Sequence, residues 1–126
     1  MIRIRYFCAR VLLIGLLILI SCFQLVAKPI TGRASFYGRK HIGHRMANGQ
    51  RFDARRLTAA HRTLPLGTWI RIMSWRTKRW VRVQITDRGP YYGRRALDLS
   101  PAAAKPLGVR ADGVIKVVYE VESDVH

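Results

Sequence analysis

The sequence predicts a mainly β protein: a small closed β-barrel of six short strands with one short α-helix, preceded by an export segment. Three observations carry this. Short stretches alternate apolar and polar residues with a period of two. Corners rich in glycine, proline and charge separate them at short intervals. The only cysteines, Cys8 and Cys22, precede the folded part, so the domain must be held by a closed hydrophobic core, and barrel closure also removes exposed strand edges.

In chain order, Gly32 to Gly38 alternates Ala34 and Phe36 against Ser35 and Tyr37, a first strand. Arg39 to Asp53 is polar, basic and glycine-containing, an extended surface loop. Leu57 to His61 is a short apolar strand, and Leu64-Pro65-Leu66-Gly67 has turn chemistry. Trp69 to Ser74 directs Ile70 and Ile72 inward, and Trp80 to Thr86 returns as its hairpin partner with Val81, Val83 and Ile85 inward. That alternation stops at Asp87-Arg88-Gly89-Pro90, where Gly89 admits unusual backbone angles and Pro90 cannot donate to a ladder. Ala96 to Leu99 is another short strand with Asp98 on its opposite pleat. Ser100 and Pro101 start a helix of at most about two turns that Gly108 ends. Gly113 to Glu122 is the last strand.

The chain has 126 residues, one small domain beyond its leader. Residues 1–27 pair a basic start (Arg3, Arg5, Arg10) with an apolar run from Val11 to Ala27, the pattern of an export signal. Three fates stay open: cleavage after Ala27, lipoprotein processing after Ser21 that lipidates Cys22 and anchors the chain to a membrane, or retention as an anchor. Each places the domain in the periplasm or cell envelope. Residues 28–31 are a linker, 32–122 the barrel domain and 123–126 a tail. All 7 acids but only twenty of the 23 basic residues lie beyond the leader, a mature charge of +13. Such a charge calls for polyanionic surroundings, and export makes nucleic acid a poor partner.

The run Gly32-Arg33-Ala34-Ser35-Phe36-Tyr37-Gly38, then Ala47-Asn48-Gly49-Gln50-Arg51-Phe52-Asp53, Leu57 to Pro65 (LTAAHRTLP), Asp87-Arg88-Gly89-Pro90 and Asp98-Leu99-Ser100 resembles the RlpA (rare lipoprotein A) family, in family order. The resemblance implies a double-psi β-barrel acting as an endolytic peptidoglycan lytic transglycosylase. Such an enzyme cuts MurNAc–GlcNAc bonds, favours peptide-poor glycan strands, leaves a 1,6-anhydro end and needs no cofactor. Carried over by position, Asp87 matches the family's essential aspartate and His61 its histidine. The glutamate expected after the Asn-Gly pair is Gln50 here, which hydrogen-bonds but cannot exchange a proton. Expansin-like domains share the barrel, so the alternative is a glycan-binding barrel that does not cut.

A lytic cut needs one group to protonate the leaving oxygen, because the C6 hydroxyl of the substrate itself attacks. Asp87 is the candidate acid/base and His61 its relay or orienting partner; each also reads as a scaffold residue. Gln50, Arg88, Tyr37, Tyr91 and Asp98 are candidate substrate-binding residues, and for Asp98 a structural role, bonding loop amides near Arg88 or Arg95, is favoured. His41 and His44 alone are too few for a zinc site, so no metal is expected. The partner is peptidoglycan glycan, and the protein is expected to be a monomer.

Overall fold

The computed structural model describes residues 6, 8–15, 28–36, 41–109 and 113–123. Six strands close a barrel: β1 (Ile30–Phe36), β2 (Thr58–Ala60), β3 (Trp69–Ser74), β4 (Trp80–Asp87), β5 (Leu97–Leu99) and β6 (Ile115–Val121), with a helix at Pro101–Leu107 between β5 and β6. Around the barrel the order is β1-β5-β2-β4-β3-β6, with β6 pairing back to β1. The pairs β1–β5 and β2–β4 are parallel, and the other four are antiparallel. The predicted barrel is therefore present, and its double-psi class follows from the family match given below.

The interior follows from the alternation. Ile70 and Ile72 of β3, Val83 and Ile85 of β4, Leu97 and Leu99 of β5 and Val117 of β6 are fully buried and meet in one core. Ala103, Ala104 and Leu107 of the helix cap it. Burying a side chain of this size contributes about 1.5–3 kcal/mol, so this set supplies most of the drive to close the barrel. Ser100 caps the helix by accepting from the Ala103 N–H at 3.2 Å, and Gly108 ends it at φ 73°, a conformation that excludes most side chains.

β1 starts two residues before the predicted Gly32. Ile30 and Thr31 pair with Tyr119 and Val118 of β6, a backbone interaction that leaves no mark in side-chain alternation. The strand predicted over Leu57 to His61 shortens to its three buried residues. The 41–53 segment is more than a surface loop. Met46 and Phe52 are buried, Arg45 and Arg51 form a bridge, and Met46 N–H donates to Gln50 O at 2.8 Å.

Candidate active site

Asp87 is the last residue of β4, beside Ala60 of the parallel strand β2. The register shifts between Ala59 and Ala60, and the chain leaving β2 stays attached through His61 N–H to Asp87 O at 3.2 Å. The 44–52 loop docks on the same strand end: Asn48 N–H donates to Thr86 O at 3.1 Å, and Ala47 N–H to Asp87 Oδ1 at 2.9 Å. Arg88 N–H adds a second bond to Oδ1 at 2.8 Å. Two backbone amides therefore fix the plane of a half-buried carboxyl at the barrel mouth.

His61 lies directly beside this end. Its Nδ1 accepts from the backbone N–H groups of Thr63 (3.1 Å) and Leu64 (3.0 Å). The proton of the neutral ring then sits on Nε2, which donates to the Tyr119 hydroxyl at 3.3 Å. Burial, and after it the charges of Arg88 and Arg62, lower the His61 pKa, and burial raises that of Tyr119. Both ring nitrogens are engaged in tying the 61–64 loop to the core.

The arginines nearby serve the same end. Arg88 Nη1 donates to the carbonyls of His61 (3.2 Å) and Leu64 (2.7 Å). Arg62 spans to Pro90 O (2.6 Å) and Arg95 O (3.1 Å). Asp98 accepts from the buried Ser35 hydroxyl, Arg95 Nη1 donates to Ser35 Oγ at 2.7 Å, and Arg95 lies 3.5 Å from the Asp98 carboxylate. The contacts of Asp98 are thus a hydroxyl and a guanidinium, where the sequence reading expected loop amides.

Gln50 is exposed at the tip of the docked loop, its amide oxygen accepting from Asn48 at 3.3 Å. It lies at the border of two open clefts. One, of about 490 Å³, is lined by Met46, Gln50, Asp53, Trp69, Gln84 and Thr86 among others, and Asp87 is not among its lining residues. The other, of about 810 Å³, runs over Ile42, Arg51 and Arg55. Asp53 lines both, yet sequence reasoning passed it over; its place three residues after Gln50 in the ANGQRFD run was the available signal. Arg55 holds its carboxyl below the usual range, first through its guanidinium (3.1 Å) and then through its backbone N–H. Tyr91 stands 69% exposed in the loop after β4. Tyr37 and Cys22 lie outside the described residues. Among the described residues no three His, Cys, Asp or Glu side chains cluster as metal ligands, and His41 and His44 pack edge to face at 6.3 Å.

Residues 30–119 match the family model described as lytic transglycolase, a double-psi β-barrel family. A probable endolytic peptidoglycan transglycosylase RlpA of Synechocystis sp. is 47% identical over 90 residues, which cover 71% of this chain and 28% of that protein. An endolytic peptidoglycan transglycosylase RlpA of Pseudomonas aeruginosa is 44% identical over 94 residues, covering 75% of this chain and 28% of that protein. The chain thus spans little more than a quarter of the length of these two relatives. An expansin of Clavibacter michiganensis in complex with cellohexaose superposes with a TM-score of 0.62 at 25% identity, covering 79% of this chain and 52% of that one. With the barrel, the motif order and a family match over most of its length, the chain belongs to the RlpA family of double-psi β-barrels.

Proposed function

We propose that this barrel is an endolytic lytic transglycosylase of peptidoglycan glycan strands, with Asp87 as its acid/base. The observation that carries the reading is the placement of Asp87: a half-buried carboxyl oriented by two backbone amides at a strand end, on the strand whose Gln84 and Thr86 line a cleft with the Gln50 amide and the Asp53 carboxylate. A glycan in that cleft brings a bridging oxygen to the carboxyl. Asp87 gives it a proton as the C1–O bond breaks. The C6 hydroxyl of the same MurNAc forms the new bond to C1, and its proton returns to Asp87. No outside water enters the balance.

In this reading His61 is a positioning residue, because its ring nitrogens hold the loop that carries the Asp87 neighbours. Arg88 acts likewise through carbonyl contacts. Tyr91 contacts sugar, Tyr37 is a sugar-binding candidate by sequence position alone, and residues 1–27 deliver a monomeric domain to the envelope, by cleavage or with lipid on Cys22.

The test is incubation of the protein with peptide-free glycan strands and mass spectrometry of the products. Anhydro-ended fragments from wild type, absent with Asp87→Asn, are expected. Intact glycan beside an active control enzyme rejects the reading. One observation favours a second reading: Gln50 presents an amide where the resemblance expects a carboxylate. A barrel that grips glycan without cutting sediments with cell wall equally well as wild type and as Asp87→Asn.

A further inference from the structure

The end of the barrel away from Asp87 carries a different chemistry. Trp80 opens the strand that Asp87 closes, so the two lie about 23 Å apart along β4. The turn from Ser74 to Trp80 and the start of β6 bring together Trp75, Trp80 and Val114, which are 49%, 55% and 51% exposed. Arg76, Lys78, Arg79 and Lys116 surround them, and neither stretch, Ser74 to Trp80 or Val114 to Lys116, contains a carboxylate.

The geometry of these cations is specific. Lys78 Nζ and Lys116 Nζ lie 4.5 and 4.4 Å from the ring centre of Trp75, and the Arg71 guanidinium lies 4.1 Å from that of Trp80. Lys78 holds a left-handed backbone angle, φ 60°, that glycine would adopt at lower cost. Its side chain is thus kept where the backbone alone favours none. Cations lie over these indoles, as the Arg82 guanidinium lies over Trp69 at 3.9 Å. A partner meets a rim of ammonium and guanidinium groups around indole edges. That combination matches the boundary of a bilayer, where anionic headgroups meet acyl chains.

The two tryptophans share one outward surface. Lys116 and Val118 are successive outward positions of β6; Lys116 packs on Trp75, and Val118 lines an open cleft of about 440 Å³ with Trp80, Arg71, Pro29 and Glu120, the cross-strand partner of Arg71. Pro29 is two residues from Ala27, the last residue of the apolar run. The chain therefore enters the barrel on this face.

We propose that the Trp75–Trp80 end of the barrel is a membrane-contact surface that seats on anionic phospholipid, recognising headgroup phosphate through Lys78 and Lys116. Seated this way, the domain turns its Asp87 end away from the bilayer, where the reading above places the glycan.

The chain has three tryptophans, Trp69, Trp75 and Trp80, so their emission reports the contact. The full chain is mixed with vesicles whose acyl chains carry bromine, a short-range quencher. Phosphatidylglycerol vesicles are expected to quench roughly half the emission and phosphatidylcholine vesicles several-fold less. The double variant Trp75→Phe, Trp80→Phe, with fold verified by circular dichroism, leaves Trp69 as the reporter and is expected to lose nearly all quenching. Lys78→Gly relieves the backbone angle, so it keeps or raises stability while weakening the quenching. Any of four results overturns the proposal: no quenching on phosphatidylglycerol, equal quenching on phosphatidylcholine, quenching that survives in the double variant, or an emission shift with a lipid-free glycerol-phosphate polymer and none with vesicles.

Discussion

Asp87 and Asp98 flank the same residue. Ala60 pairs with Asp87 across the parallel β2–β4 ladder and with Asp98 across the antiparallel β2–β5 ladder, so the two carboxylates occupy one level of the barrel about 10 Å apart at the backbone. Their surroundings differ in kind. Side chains, the Ser35 hydroxyl and the Arg95 guanidinium, hold Asp98 against β1. The Asp87 carboxyl takes backbone N–H bonds from Ala47 and Arg88, and the guanidinium of Arg88 turns to the carbonyls of His61 and Leu64. Asp98 is thus tied across strands by a hydroxyl and a guanidinium, and Asp87 is oriented by the backbone amides of its own strand end and of the docked loop.

Exchanging the two acids' chemistry is the sharpest way to break this contrast. Asp87→Asn keeps an acceptor for Ala47 N–H, so the fold should persist while formation of anhydro product falls by about 10²-fold or more. Asp98→Ala strands the buried Ser35 hydroxyl and the Arg95 guanidinium. It should cost about 1–3 kcal/mol, lowering the thermal midpoint by several degrees, with a smaller loss of activity per folded molecule. Product assays and calorimetry on both variants decide it. If Asp98→Ala removes activity at unchanged stability and Asp87→Asn does not, the roles are reversed.

The gap at position 50 gives a smaller effect. Gln50 lines the cleft that also holds Gln84 and Thr86 of the strand Asp87 ends. Gln50→Glu supplies a proton-exchanging group there and should raise product formation roughly tenfold if proton transfer limits the cut. An unchanged rate assigns Gln50 to binding alone.

What the sequence revealed divides along the same line. The inward residues of β3 and β4 and both ends of the helix were legible because alternation and capping are local. The parallel pairings were not, since backbone ladders between distant segments leave no periodic trace. Asp87 stood out as a charged corner ending an alternating strand. The docking of Ala47 on it spans 40 residues and rests on a backbone N–H, which no residue type announces. Nor could spacing show that both His61 nitrogens are taken, because Tyr119 lies 58 residues away in sequence.

His61 supplies the subtlest test, through pH. Burial, with Arg88 and Arg62, lowers its pKa in the folded protein, and in the unfolded chain it titrates near the ordinary 6.5. Above that value both states hold the ring neutral and His61 adds no pH dependence. As pH falls below about 6.5 the unfolded chain takes up the proton first, so the native state loses stability until the pH passes the lowered folded value, where the loss levels off. Protonation of Nδ1 would also set a new N–H against the amides of Thr63 and Leu64. Urea midpoints measured between pH 8 and pH 5 should therefore decline for wild type more than for His61→Gln, which cannot titrate. Equal slopes would mean that the imidazole is not held as a neutral acceptor, and the loop beside Asp87 would need another anchor.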